Sequence, residues 1–337
     1  MLDVKVLNQE VLKETLEMKE VILAVEKAYT LKAQNRTELF PMVFHEFNPG
    51  VADMDIKSGH LKDEGIFGLK LVSWFGENKE KDLPLLFGTT LIFDDKTGMP
   101  LALLNADYIT GMRTGAAGAI GAKYLAKKNS KSLLMVGTGH VAQFQILATL
   151  IALPSIEKVR VYNPRSVERT TAYASKIKNI LKNSFNFESD VEFEAVNNLK
   201  DAVSNSDIII TATPSREPMI LKDWIKPGTH FSCVGSDMEG KQEIDENIFI
   251  DAKIIVDDIT QAINVGETET AIKKNIIKES DLLGEMGDII LGNVNGRTSD
   301  NDITIFDSTG IALQDLITSK LALDLAEKKN LGISIKL

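Results

Sequence analysis

The chain has 337 residues, 44 % hydrophobic and 26 % charged, enough apolar material for a sizeable core and, at this length, for two domains. Its net charge of −10 argues against a nucleic-acid or anionic-membrane surface, and no run of about 18 apolar residues offers a membrane span. The single cysteine, Cys233, cannot close an internal disulfide, the four histidines (His45, His60, His140, His230) lack metal-ligand spacing, and residues 1–5 lack a leader pattern, so the default is a soluble cytoplasmic protein without a metal.

Residues 9–33 carry Leu12, Leu16, Met18, Val21, Ile22, Val25 and Tyr29 mostly three or four apart, the period of one or two amphipathic helices. Between 42 and 93 the pattern changes to short apolar runs at 42–44, 66–72 and 89–93, broken by Asn48-Pro49-Gly50 and followed by Lys96-Thr97-Gly98. These predict antiparallel strands, and 101–104 adds another. Lys70 interrupts its run on the face shared with Gly68 and Val72, so it either snorkels or reaches a buried anion. Residues 108–126 form a helix crowded with Gly111, Gly115, Ala116, Ala117, Gly118, Ala119, Gly121 and Ala122. Glycine inside a helix costs about 1 kcal/mol against alanine, so this composition implies a closely packed neighbour. Arg113, near the start of that helix, suits a carboxylate or phosphate.

The polar break at 127–131 is the expected domain boundary. Residues 1–129, completed by 311–337, would form one domain and 130–310 a dinucleotide-binding domain. Directly after the break, Ser132-Leu133-Leu134-Met135-Val136 enters Gly137-Thr138-Gly139-His140-Val141-Ala142, and apolar residues continue at helical spacing to Leu150. This is strand, tight turn, helix: Gly137 allows the turn, Gly139 removes a Cβ where a pyrophosphate would approach, and Ala142 lets the helix lie close on its strand. Strands at 158–162, 191–195, 207–213, 229–235 and 253–256 alternate with helices at 167–181 and 199–203. The prediction is an α/β fold, a doubly wound Rossmann-type parallel sheet with a second α+β domain. Residues 258–303 read as helical and acidic, 303–306 as a last strand, and 311–327 as a closing helix that crosses back to the first domain.

An NAD-preferring Rossmann unit commonly places an acidic residue at the second strand tip to bind the ribose 2′-hydroxyl. Here that tip is Tyr162-Asn163-Pro164-Arg165. With no carboxylate to repel a 2′-phosphate and Arg165 able to pair with one, NADP is favoured over NAD. Asp237, just past the strand at 229–235, lies at the carboxyl end of the sheet, where it could orient an amine or take its proton, or simply cap the loop.

The chain resembles the ornithine cyclodeaminase and μ-crystallin family. The resemblance rests on Leu83-Pro84 through Thr89, Lys96-Thr97-Gly98, Tyr108-Ile109-Thr110-Gly111-Met112-Arg113-Thr114-Gly115-Ala116-Ala117 and the Gly137-Thr138-Gly139 turn. It continues in Gly235-Ser236-Asp237-Met238-Glu239-Gly240-Lys241-Gln242-Glu243, Gly296-Arg297-Thr298-Ser299-Asp300 and Phe306-Asp307-Ser308-Thr309-Gly310-Ile311-Ala312-Leu313-Gln314-Asp315. It implies a homodimer whose Rossmann-type sheet is inserted into an α+β substrate-binding and dimerisation domain built from both chain ends, and in which Lys70 and Arg113 hold the substrate carboxylate, Asp237 is the catalytic carboxylate, and Thr89 and Thr114 lie near the cofactor. Where the family often carries an arginine and a Met-Pro pair, this chain has Pro41-Met42-Val43-Phe44 and Ile56-Lys57, and Lys57 is the candidate replacement cation. Asp237 and Lys70 are thus the catalytic candidates, with Lys70, Arg113 and Lys57 on the substrate. Candidate cofactor positions are Thr89, Thr114, Gly137, Gly139, His140, Val141, Asn163, Arg165, Ala212, Thr213, Val234 and Ser308. The implied activity is NAD(P)-dependent hydride transfer at the α-carbon of a small amino or imino acid. Ornithine cyclodeamination to proline with ammonia release is the leading case. Ketimine reduction and alanine-type or opine-type dehydrogenation are alternatives, and a non-catalytic NADPH-binding crystallin-like protein is a rival of another class.

Overall fold

The computed structural model describes residues 3–337. The chain divides into two compact units, one running to Arg113 and resumed at Ile311–Leu337, the other Thr114–Gly310.

The first unit is built on an eight-stranded sheet with the order Ile333–Lys336, Asp3–Leu7, Pro100–Asn105, Leu86–Asp94, Ile66–Phe75, Ala52–Leu61, Thr37–Leu39; Val43–Asn48 also pairs with Ala52–Leu61. Every pairing is antiparallel except that of Asp3–Leu7 with Pro100–Asn105. The expected helical stretch at 9–33 is two helices, Gln9–Thr15 and Met18–Ala33, separated by extended backbone at Leu16 and Glu17. The closing helix Ala312–Lys328 belongs to this unit and lies over one face of the sheet, with Leu313 against Gly59 and Leu316 against Gly68. Strand alternation puts Lys57, Lys70 and Thr90 on that same covered face, all buried. On the opposite face Met54, Ile56, Leu69, Leu71, Leu91 and Leu103 are only partly buried, and Phe67 and Phe93 stack at 5.0 Å.

In the second unit, eight parallel strands run in the order Glu192–Ala195, Lys158–Tyr162, Ser132–Val136, Ile208–Thr211, His230–Cys233, Ile303–Asp307, Ala252–Val256, Leu282–Glu285. The order reverses between Ser132–Val136 and Ile208–Thr211, the switch point at which doubly wound sheets open a crevice. The glycine turn follows the first of these strands, and Gly137 takes φ +111°, a conformation costly for a residue with a side chain. Leu282–Glu285 corrects the reading of 258–303 as helical: it is an edge strand with one fully buried side chain, too little apolar pattern to announce itself.

The expected boundary at 127–131 also differs from the structure. The helix Ala106–Leu125 begins in the first unit and ends in the second, because its glycines take up the second unit's side chains. A Cβ at Gly118 would collide with the Gln145 side chain and one at Gly121 with the Phe306 ring. Gln145 Nε2 donates to Thr114 O (2.7 Å) and Ser232 Oγ to Gly118 O (2.8 Å), fixing the helix there. Among the described residues, no helix is long and apolar enough to cross a membrane.

Candidate active site

In the second unit the strand tips open onto a cavity of about 510 Å³ lined by Gly137, Thr138, Gly139, Asn163, Pro164, Arg165, Arg169, Tyr173, Lys176, Ala212 and Thr213 among others. Asn163 ties its two sides together, donating through Nδ2 to Thr138 Oγ1 (2.6 Å) and accepting the Arg165 amide at Oδ1 (2.8 Å). The helix Ala142–Ala152 starts without a side-chain cap. The amides of Ala142 and Phe144 already donate to Gly139 O (3.2 Å) and Val141 O (3.1 Å), so the part of this segment that a phosphate would meet is the Gly137–Thr138–Gly139 turn itself. A Cβ at Gly139 would meet nothing within 4 Å, so open space faces the turn where a pyrophosphate has to approach. These features fit a dinucleotide. The described lining residues include the cations Arg165, Arg169 and Lys176 and no carboxylate.

The remaining expected cofactor positions are not among the residues that line this cavity. His140 is exposed and packs edge-on against Phe144 (5.2 Å), and Val141 precedes the helix; neither lines the cavity. Val234 ends the strand His230–Cys233, partly buried. The Ser308 hydroxyl is occupied, donating to Asp257 Oδ2 (3.0 Å). Thr114 is buried in the second unit with its carbonyl on Gln145. Thr89 sits in the first unit on the outward sheet face, the face opposite to that of Lys70, and its neighbour Thr90 takes the inward position.

Asp237 is half-exposed, with Lys241 Nζ 2.5 Å from Oδ1. The two residues before it are clamped by acids that the sequence reading missed. Glu243 accepts Gly235 N (3.2 Å) and Thr213 N (2.6 Å), and Glu267 accepts the Ser236 hydroxyl (2.5 Å) and the amides of Glu243 and Ile244 (both 2.7 Å). Behind them Asp307 accepts the amides of Glu267 (3.1 Å) and Thr268 (2.9 Å), and Asp257 that of Gly310 (2.8 Å). Burial pushes all four carboxyls above their ordinary range, Asp307 to about 7, and Glu243 raises Glu267 further. The cluster makes the carboxyl end of the sheet a rigid platform for the Gly235–Ser236–Asp237 turn. Little in the sequence marks them: of the four, only Asp307 ends a strand with Ser308 and Thr309 behind it, while Glu243 sits between Gln242 and Ile244 and Asp257 between Val256 and Asp258.

The first unit holds a buried ionic cluster. Asp315, fully buried on the closing helix, meets Lys70 Nζ (3.0 Å) with one oxygen and Arg113 Nε (3.0 Å) with the other. Arg113 Nη1 donates to Gln314 Oε1 (3.0 Å), whose amide donates to Tyr29 OH (2.5 Å). Lys57 is directly opposite Lys70 in the strand register. Of the two readings of Lys70, the structure selects the buried anion, and the anion is Asp315, a residue the sequence reading did not single out. Its signal was a carboxylate among Ile311, Leu313, Leu316 and Ile317 on an otherwise apolar helix face. Burial brings the Lys70 ammonium down to about 8; Asp315 opposes the shift, while Arg113 and Lys57 add to it. Burial alone would raise the Asp315 carboxyl, but Arg113, Lys70 and Lys57 outweigh it and hold the group below its usual range.

Comparison with known proteins gives the wider setting. The model of the ornithine cyclodeaminase/mu-crystallin family matches residues 3–330. An alanine dehydrogenase of Archaeoglobus fulgidus is 38 % identical over 98 % of this chain and 98 % of its own length. Among solved structures, an archaeal alanine dehydrogenase dimer with bound NAD is 36 % identical with a TM-score of 0.89, each chain covered in full. Thermococcus litoralis Δ1-pyrroline-2-carboxylate reductase, in complex with NADH and L-proline, is 31 % identical with a TM-score of 0.91, covering 98 % of this chain and 100 % of that one. The chain belongs to the ornithine cyclodeaminase/mu-crystallin family.

Proposed function

We propose that the protein is an NAD(P)-dependent oxidoreductase that moves hydride between a nicotinamide and the α-carbon of a small amino or imino acid. One observation carries the reading: Lys57, Lys70 and Arg113 are buried around Asp315 in a chain that also bears a dinucleotide cradle. Asp315 pairs with Lys70 and Arg113, and Asp55 and Lys57 also act on Lys70, so this buried face carries both signs of charge, and its cations are the groups suited to a substrate carboxylate. The bound cofactor would supply or accept the hydride. Lys70 and Arg113 hold the substrate carboxylate, Lys57 adds charge behind them, and Asp237 orients the amine or takes its proton.

The relatives named for alanine dehydrogenation and pyrroline-carboxylate reduction support dehydrogenation or imine reduction ahead of ornithine cyclodeamination. Both solved relatives carry NAD or NADH. For this chain the cationic tip with Arg165 and Arg169 supports NADP(H). The half-exposed apolar sheet face around Leu69, Leu71 and Leu91 supports a homodimer, the state of the archaeal neighbour.

The test is reduced-nicotinamide absorbance with a panel of amino, keto and cyclic imino acids, run beside an ammonia assay. Cofactor consumption with a cyclic imine, or with a keto acid plus ammonia, is the expected result. Ammonia from ornithine without net cofactor change would restore cyclodeamination. Cofactor binding with no turnover of any member would end the enzymatic reading.

A further inference from the structure

Thr90 is fully buried, and its hydroxyl has no hydrogen-bond partner in the structure. It stands in one cross-strand row with Lys57 and Lys70, on the face covered by the closing helix. Its next neighbour in the row is Leu104, and Ile92 follows it on the same face, both buried and apolar. A hydroxyl there is unfavourable in the ligand-free protein, because valine would fill the same shape without hiding a polar group. The outward neighbour Thr89 is exposed and carries no such cost. Its register partner is Lys70, a member of the cation cluster that the proposed function assigns to a carboxylate.

We infer that Thr90 is a substrate-binding residue, its hydroxyl donating a hydrogen bond to the carboxylate of the small amino or imino acid. The inference rests on that functional reading for the ligand's class. Asp315 already occupies Lys70 Nζ and Arg113 Nε, and Gln314 occupies Arg113 Nη1. An entering carboxylate offers about four lone-pair sites. A neutral donor beside Lys70 adds a contact at one of these sites without adding charge to a face that already holds three buried cations. The Thr90 hydroxyl is then left unpaired in the empty protein and paired in the complex, so it favours binding without stabilising the ligand-free fold.

Thr90→Val separates this role from a structural one. Dissociation constants for L-alanine and L-proline would be measured on the full-length protein with NAD(P)+ present, and those for acetate and pyruvate as carboxylate probes independent of turnover. The valine variant should bind about ten-fold more weakly or worse, as for loss of a hydrogen bond to a charged group. Thr90→Ser should remain close to wild type, and the ligand-free melting temperature of Thr90→Val should be unchanged or higher. Unchanged dissociation constants in Thr90→Val, with turnover intact in wild type, would overturn the inference and leave the functional reading standing. Threonine-dependent carboxylate binding without turnover would uphold the inference and remove the reading. No carboxylate binding by wild type would remove both.

Discussion

Lys57 and Lys70 stand directly opposite each other on adjacent antiparallel strands, both buried. Like charges directly opposite each other destabilise a sheet. Lys57→Met should therefore raise the ligand-free melting temperature slightly while raising KM for a carboxylate substrate. The Lys70 ammonium, brought down to about 8 by burial, adds a pH signature. As pH rises through about 8 the free protein loses that charge, so kcat/KM should fall. Stability moves the other way: between about 8 and the ordinary 10.5 the unfolded chain binds the extra proton, so folding gains as pH rises. Lys70→Arg should abolish the alkaline fall in kcat/KM, and a fall that persists in this variant would assign it to another group.

The proposed preference for NADP(H) rests on the Asn163–Arg165 tip. Arg165→Ala should raise the NADPH dissociation constant by about 1.5–3 kcal/mol, as for a charge-assisted hydrogen bond, and barely affect NADH. Titration by fluorescence quenching checks it, and equal effects on both cofactors would make Arg165 a surface residue.

The buried acids make stability fall as pH rises towards neutrality. Asp307 titrates near 7 in the folded protein and near 3.8 when free, so its protonated form contributes stability fully below about 3.8, lost as pH rises through 7. Asp207 runs opposite: burial opposes its ionisation, but the Lys131 amide and Lys226 hold it near 2, so its contribution disappears only in strong acid. Thermal unfolding should show higher stability near pH 5 than near pH 8, with Asp307→Asn flattening the slope. A slope of the other sign in wild type would contradict the assignment.

The outward sheet face predicts the assembly. Light scattering at low micromolar protein should give twice the chain mass, and Leu71→Asp, which charges the centre of that face, should give a monomer that still binds dinucleotide. A monomeric wild type would show that the face serves something else.

Much of this was legible in the chain. The doubly wound sheet announced itself because buried parallel strands such as Ile208–Thr211 are continuously apolar, and Gly137 and Gly139 mark the turn whose backbone needs them. Lys70 was visible as a charge inside an apolar run. Asp315, Glu243 and Glu267 were not, because a buried carboxylate looks like a surface one until its partners, more than 200 residues away for Arg113 and Asp315, are placed beside it. Thr89 and Thr90 differ by one position, and only the register with Lys70 tells which faces the cluster. The edge strand Ile333–Lys336 escaped notice because all four of its residues are exposed, so no alternation marks a buried side.

The most direct test of the account follows deuterium. Reduced cofactor deuterated at both hydrogens of the nicotinamide C4 would be incubated with pyruvate plus ammonia and, separately, with the cyclic imine of proline, and the amino-acid product weighed by mass spectrometry. Wild type should deliver the label to the α-carbon of one of these products. Asp237→Asn should bind cofactor normally but lose at least about 10²-fold in rate, the lower range for a general acid or base. Product formed without label at the α-carbon, or an Asp237→Asn variant working at wild-type rate, would contradict hydride transfer in the first case and the role of Asp237 in the second.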